Sequence, residues 1–217
     1  MAIKVAGETY ESITGQLFEI GRQLRQPNGY PFDPIQLKIH LQAAIEGRFG
    51  VTRSWREESG VIYFSVTSDG TTGEGWIKRL EGNGFRVGDY AKQVLRSLDF
   101  KPTNGVTTEV AVLRGMLFTD NDRITKKIRA EADKRKLEKL SAELTCLIRE
   151  KFTDKEIEQM GLWYIVAMHE PINDSAGVPS LLGADRRDDG RWLRTCNGRP
   201  GFGWSRGSGF AFAVSPA

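Results

Sequence analysis

Leu162 to His169 (LWYIVAMH) is a nearly continuous apolar run, and it constrains the fold more than any other stretch. It is too short for a buried helix and apolar on both faces of a strand. Such a strand must be covered from both sides, which places it in the middle of a sheet with packed layers above and below. Thr107 to Leu113 (TTEVAVL) upstream, and Ser180 to Ala184, Arg191 to Thr195 and Phe210 to Val214 downstream, read as further strands. Gly- and Asp-rich loops connect the last three. Two helices are expected between the first strand and the central one. Asp120 is placed to cap the first, a highly charged helix running to about Lys136 with Ile124, Ile128 and Ala132 on its buried stripe. Leu140, Leu144, Leu147, Ile148 and Phe152 give the second its period, and Thr153-Asp154-Lys155-Glu156 is a capping box for a short helix after it.

The N-terminal part has a different texture. Ile13, Leu17, Ile20 and Leu24 recur at helical spacing up to a turn at Pro27-Asn28-Gly29. A second helix starts at Asp33-Pro34, carries Leu37, Leu41, Ala44 and Ile45, and can stop at Gly47. Val61 to Thr67 reads as a strand. Thr71-Thr72-Gly73-Glu74 looks like a capping box ahead of Trp76, Ile77 and Leu80, and Asp89 opens a short helix through Val94 and Leu95. Lys101-Pro102-Thr103-Asn104-Gly105 is turn-forming, so the domain boundary is expected there: a small mixed α/β domain of unknown role over 1–102, and an α+β domain over 103–217.

The composition changes near residue 170. Residues 1–170 hold 12 Lys, 16 Glu and 7 Gln, whereas Pro171 to Ala217 hold none, although about ten are expected at the upstream rate. Arg and Asp persist there, so particular residue types are missing rather than charge. A turn-rich, short-stranded segment favours Gly and Asp over Glu and Lys, which covers part of the deficit.

Residues suggestive of chemistry are sparse. His169-Glu170 ends the central strand without a second histidine nearby or a spaced carboxylate set, so a backbone-bonded strand-end histidine is favoured over a catalytic or metal-binding one. Cys146 sits among leucines and reads as an inert buried thiol; Cys196 falls in a glycine-rich stretch and is expected to be exposed. Arg123 to Lys139 holds eight Lys or Arg interleaved with Glu131, Asp133 and Glu138, the pattern of a solvated helix face, with a nucleic-acid-binding module as the alternative reading. No phosphate-binding glycine loop is present. Nothing in the sequence implies an enzyme, a cofactor or a metal. No apolar window is long enough to span a membrane, and no signal peptide is evident, so a cytoplasmic location is expected, with surface display left open.

The C-terminal segment carries the strongest constellation. Gly190-Arg191-Trp192-Leu193 and Gly209-Phe210-Ala211-Phe212 look like framework strands around Arg194–Ser208, which offers aromatic faces, guanidinium groups and small polar residues, a mixture suited to adaptable binding loops. This segment resembles the variable region of diversity-generating retroelement target proteins of bacteria and phage, which use a C-type-lectin fold. In those systems an error-prone reverse transcriptase miscopies template adenines, and scrambling the first two letters of an Asn codon never yields Lys, Glu, Gln, Met or Trp. Arg194, Cys196, Asn197, Gly198, Arg199, Gly201, Phe202, Gly203, Ser205, Gly207 and Ser208 all obey that limit. The same logic leaves the gap over Pro171 to Gly183 unexplained. The resemblance implies a C-type-lectin-like domain over 103–217 and a receptor-type protein whose exposed, hypervariable surface binds a protein or other macromolecular ligand. Those residues, with Arg187 and Asp188, would form the surface, and Trp192, Trp204 and Phe210 the buried scaffold. The family commonly closes on Gly-Phe-Arg, where this chain has Gly209-Phe210-Ala211.

Overall fold

The computed structural model describes residues 8–25, 33–46 and 53–215. The chain divides into two compact units, Met1–Arg53 and Ser54–Ala217. The first contains α1 (Glu8–Gln23) and α2 (Pro34–Ile45). Asp33 caps α2, its Oδ1 accepting from Ile35 N at 2.8 Å. The turn at Pro27-Asn28-Gly29 and the stop at Gly47 lie outside the described residues.

The second unit is α+β, built on one large mixed sheet. In chain order it runs β1 (Arg56–Glu58), β2 (Val61–Asp69), α3 (Gly73–Gly82), β3 (Arg86–Val87), α4 (Asp89–Arg96), β4 (Asn104–Arg114), α5 (Thr125–Lys134), β5 (Leu137–Glu138), α6 (Glu143–Lys151), α7 (Asp154–Gln159), β6 (Tyr164–Ala167), β7 (Ile172–Asn173), β8 (Pro179–Arg187), β9 (Gly190–Asn197) and β10 (Ser208–Val214). The strand order is β1-β2-β4-β10-β6-β8-β9-β3, with β5 added to β10 and β7 to β8. The apolar run thus becomes β6, central as its two-sided hydrophobicity requires, between β10 (parallel) and β8 (antiparallel).

The boundary expected at 102/103 does not divide this sheet. β2 pairs with β4 from Val61↔Leu113 to Asp69↔Asn104, and Gly70 N donates to Thr103 O at 2.9 Å. Residues 54–102 therefore belong to the same unit as 103–214, and the division falls between Arg53 and Ser54. The Lys101–Gly105 stretch is a turn leading into a paired strand rather than a linker.

Each sheet face has its own core. One buries Trp76, Leu80, Val94, Cys146, Ile148, Phe152 and Ile157 from α3, α4, α6 and α7 against Phe64, Val112, Ile165 and Leu182. The other buries Ile128 and Ala132 of α5, together with Trp204, against Ala111, Leu113, Val166, Leu181, Phe210 and Phe212. The capping box at Thr153/Glu156 is formed in full. At α3 the cap is Thr72, whose hydroxyl accepts from Gly75 N, so Glu74 cannot close a box. Asp120 does not cap α5. Its carboxylate instead pairs with the buried Arg123, which also donates to Gly115 O and Phe118 O, each at 2.9 Å. The helix starts at Thr125 with no side-chain cap.

Candidate functional site

Strand alternation sorts the C-terminal residues by face. In β8 and β9, Leu181 lies opposite Cys196, Gly183 opposite Arg194, and Asp185 opposite Trp192. Tyr164 of β6 sits beside Asp185, and Ser208 of β10 beside Tyr164. These residues share the face that α5 and Trp204 cover over β4 and β10. Over β6, β8 and β9 the cover stops, leaving a cleft of ≈ 280 Å³. Gly183 lines its floor, Phe202 and Trp204 one wall, and Tyr164, Asp185, Arg187 and Arg194 supply its polar groups; Cys196 and Asn197 also line it. A second hollow of ≈ 460 Å³ adjoins it, sharing Tyr164, Asp185 and Arg187 and extending past Trp163 to Asp188 and Asp189 at the β8–β9 hairpin.

Main-chain bonds hold the loop that walls the cleft. The first amides of α5, uncapped by any side chain, donate to it: Thr125 N to Phe202 O at 3.1 Å and Lys126 N to Pro200 O at 2.9 Å. Trp204 N donates to Arg123 O at 2.9 Å, and Gly203 bridges Ile124. Three side-chain contacts add to this: Asn197 Oδ1 accepts from Arg199 N at 2.9 Å, the Ser205 and Ser208 hydroxyls lie 3.0 Å apart, and Trp204 anchors the far end. Trp204 is 7% exposed, its indole N–H donates to Thr125 Oγ1, and its ring meets Phe210 edge-on at 5.5 Å. By contrast Arg199, Ser205 and Arg206 are exposed, and a Cβ at Gly201 or Gly203 would meet nothing within 4 Å. Phe202, 36% exposed, rests edge-on against Trp204 at 4.9 Å.

Arg187, Arg194, Cys196, Asn197 and Phe202, all expected on the binding surface, thus line one cleft, and Asp188 is exposed beside it. Three others sit differently, and Cys196 reaches the cleft from a strand. Ser208 is buried at the start of β10, its hydroxyl donating to Tyr164 Oη at 2.7 Å. Gly198 is buried, its N–H donates to Pro179 O at 2.7 Å, and a Cβ there would press on Pro179 O and Leu181. A Cβ at Gly207 would overlap the Trp163 ring. Cys196 is not in a loop: it is half-buried on β9, packed against Leu181's core, and burial pushes its thiol up to about 12. Among the scaffold residues Trp204 and Phe210 are buried, but Trp192 is only half-buried. It lies on the cleft-side face of β9, under Arg86 at 5.4 Å, with its indole bonded to Asp189 at 3.0 Å.

Sequence reasoning missed the residues beneath and behind the cleft. Tyr164 and Gly183 become visible only through strand register. Arg149 is fully buried and donates to Asp185 O at 3.0 Å, to Phe152 O at 2.7 Å and to Asp154 at 2.9 Å. Arg186 donates to Leu162 O at 2.9 Å and lies over the Trp163 ring at 4.4 Å. Arg149 thus holds the β8 main chain at Asp185, and Arg186 ties β8 to the segment that leads into β6.

His169 is occupied structurally: Nε2 accepts from Leu182 N at 2.9 Å, Nδ1 donates to Glu170 O at 2.6 Å, and burial lowers its pKa to about 4. Burial holds the Cys146 thiol well above its usual range. The basic segment is largely engaged: Arg129 donates to Met168 O and His169 O, Lys127 pairs with Asp122, Lys134 and Arg135 with Glu131, and Lys139 with Glu170. Among the described residues, no group of three His, Cys, Asp or Glu is placed to hold a metal ion, and no helix is long and apolar enough to cross a membrane. No protein-family model, curated protein or solved structure matches this chain.

Proposed function

We propose that this chain is a binding protein that presents the cleft and its walling loop as a diversifiable recognition surface on a C-type-lectin-like scaffold, in the manner of diversity-generating retroelement target proteins. The observation that carries the reading is the division of labour in the loop. Its path is set by main-chain bonds to α5, by Trp204 and by the Asn197 side chain, while the exposed Arg199 side chain and the open positions Gly201 and Gly203 contribute little to it; Phe202 adds one ring contact with Trp204 and Ser205 one hydroxyl bond to Ser208. A position can accept many side chains only if its backbone does not depend on them and if it lies outside the close-packed interior. The codon restriction over the same segment supports the reading independently. Function is then binding alone, to a protein or other macromolecular partner.

The decisive experiment has two arms. Sequencing the flanking DNA should find a reverse-transcriptase gene beside a near-copy of the codons for residues 185–209. Exchanging Arg187→Thr, Arg199→Asn, Phe202→Tyr and Ser205→Thr together should change stability by no more than about 1–2 kcal/mol, as substitutions at exposed sites do. Libraries built at these four positions should yield binders to unrelated proteins. A quadruple variant that unfolds, or libraries that yield no binder, would refute the proposal.

A further inference from the structure

Resting on that reading, we infer that in this chain the cleft takes a carboxylate group of its partner, held between the Tyr164 hydroxyl and the Arg194 guanidinium above Gly183. The donor side begins with a hydroxyl chain. Ser205 Oγ lies 3.0 Å from Ser208 Oγ, and Ser208 Oγ donates to Tyr164 Oη at 2.7 Å. With the Ser208 proton committed to Tyr164, the Ser205 proton goes to Ser208 and the Tyr164 proton is the one left to give. No described residue accepts it, and Tyr164 lines the cleft. Each hydroxyl in such a chain polarises the next, so the terminal donor is stronger than an isolated phenol.

The guanidinium side is only loosely held, Arg194 also lying 5.9 Å from the Trp192 ring centre. Asp185 Oδ2 accepts from Arg187 Nε at 3.1 Å, but Arg194 Nη1 stands 3.6 Å away, an ion pair too long for a hydrogen bond. A guanidinium has five N–H donors arranged for two parallel bonds to a carboxylate. The charges facing the cleft are Arg187, Arg194 and Asp185, which leave one net positive charge and suit a monoanion better than a phosphate dianion. The Cys196 thiol adds no charge. Gly183 supplies the space: no side chain rises from the floor, and a Cβ there would make only ordinary contact with Cys196 Sγ at 3.4 Å and Ile165 O at 3.7 Å. The Phe202 and Trp204 rings would line the aliphatic part of an acidic side chain. Tyr164 and Gly183 lie outside the variable segment, so they form a fixed floor, while Arg194 makes the anion preference a property of this variant.

The test is an NMR titration of the full chain, following the Arg194 side-chain N–H and the Trp204 indole N–H. The probes are N-acetyl-glutamyl amide (side-chain carboxylate), N-acetyl-alanine (terminal carboxylate), N-acetyl-glutaminamide (neutral isostere) and methyl phosphate. The two carboxylates should bind saturably with dissociation constants on the order of millimolar, fitting for so few atoms, and the stronger of them identifies the source. The neutral isostere should bind at least about tenfold more weakly. Tyr164→Phe should weaken the carboxylates about three- to tenfold, the loss of one hydrogen bond, and Arg194→Gln should abolish the effect. Equal binding of the neutral isostere, stronger binding of methyl phosphate, or indifference to both substitutions would overturn the inference. If carboxylates fail while the four-position libraries still yield binders, the inference falls and the variable-surface reading stands; if both fail, both fall.

Discussion

The indole N–H of Trp204 donates to Thr125 Oγ1 at 3.0 Å, and both residues are buried. This bond joins the C-terminal loop to the first residue of α5, next to the amides that hold the loop carbonyls. Trp204→Phe should keep the ring contact with Phe210 but leave the Thr125 hydroxyl buried without its partner, costing about 1–3 kcal/mol. Trp204→Ala should cost about 3–5 kcal/mol. Trp192→Ala should cost less than Trp204→Ala, because Trp192 is only half-buried. Urea unfolding of the three variants checks the order; equal losses at Trp192 and Trp204 would contradict it.

Two glycines close in sequence should respond oppositely to one change. Gly201→Ser enters open space and should shift stability by less than about 0.5 kcal/mol. Gly207→Ser drives a Cβ into the Trp163 ring and should cost about 1–3 kcal/mol, an overpacking penalty. Both substitutions lie within the codon-limited set, so a thermal melt that fails to separate them would show that the loop repacks freely.

Acid should weaken the second unit through His169. Its folded pKa of about 4 lies below the ordinary 6.5, because burial disfavours the charged ring. The unfolded chain therefore binds the extra proton between those values. The contribution is fully present above pH 6.5 and is lost as pH falls toward 4, up to about 3 kcal/mol in all. His169→Gln, which can still accept from Leu182 N and donate to Glu170 O, should flatten this dependence. Parallel urea titrations at pH 5 and pH 7 measure it.

Nucleic-acid binding should be weak. Lys126→Ala with Lys127→Ala should leave both stability and DNA affinity at physiological salt nearly unchanged. Arg129→Ala should cost stability instead, since it leaves the carbonyls of Met168 and His169 without their donor. Fluorescence anisotropy against salt decides this: sub-micromolar binding that collapses in the lysine variant would restore the nucleic-acid reading.

Local patterns announced the elements well. β6, β8, β9, β10 and the Thr153 capping box follow from hydrophobic period and cap chemistry that act within a few residues. Long-range pairing left no such mark. Val61–Thr67 reads as a strand, but nothing in it points to Leu113 as the partner of Val61, and so the boundary expected at 102/103 cuts through a unit that begins at Ser54 and shares one sheet. Residue type misled in a different way at Ser208 and Trp192. A small polar residue suggests a surface and a tryptophan a core, but Ser208 stands at the inner end of a central strand beside Tyr164, whereas Trp192 lies on a strand whose cleft-side face is only partly covered. The cleft itself was legible only as one side: the loop residues were in view, but Tyr164, Gly183 and Asp185 reach it through register alone.

β10 lies between β4 and β6 although it is the final strand of the described fold. A chain cut short anywhere ahead of Ser208 would leave two central strands with bare edges and the Trp204–Phe210 contact unmade. A stop codon or frameshift arising within the loop would therefore yield a product that cannot close its sheet and is left for proteases. If the loop is diversified as proposed, only complete, in-frame versions of it would reach the folded pool, and the strand order would act as an inspection step on each new version of the segment that precedes it.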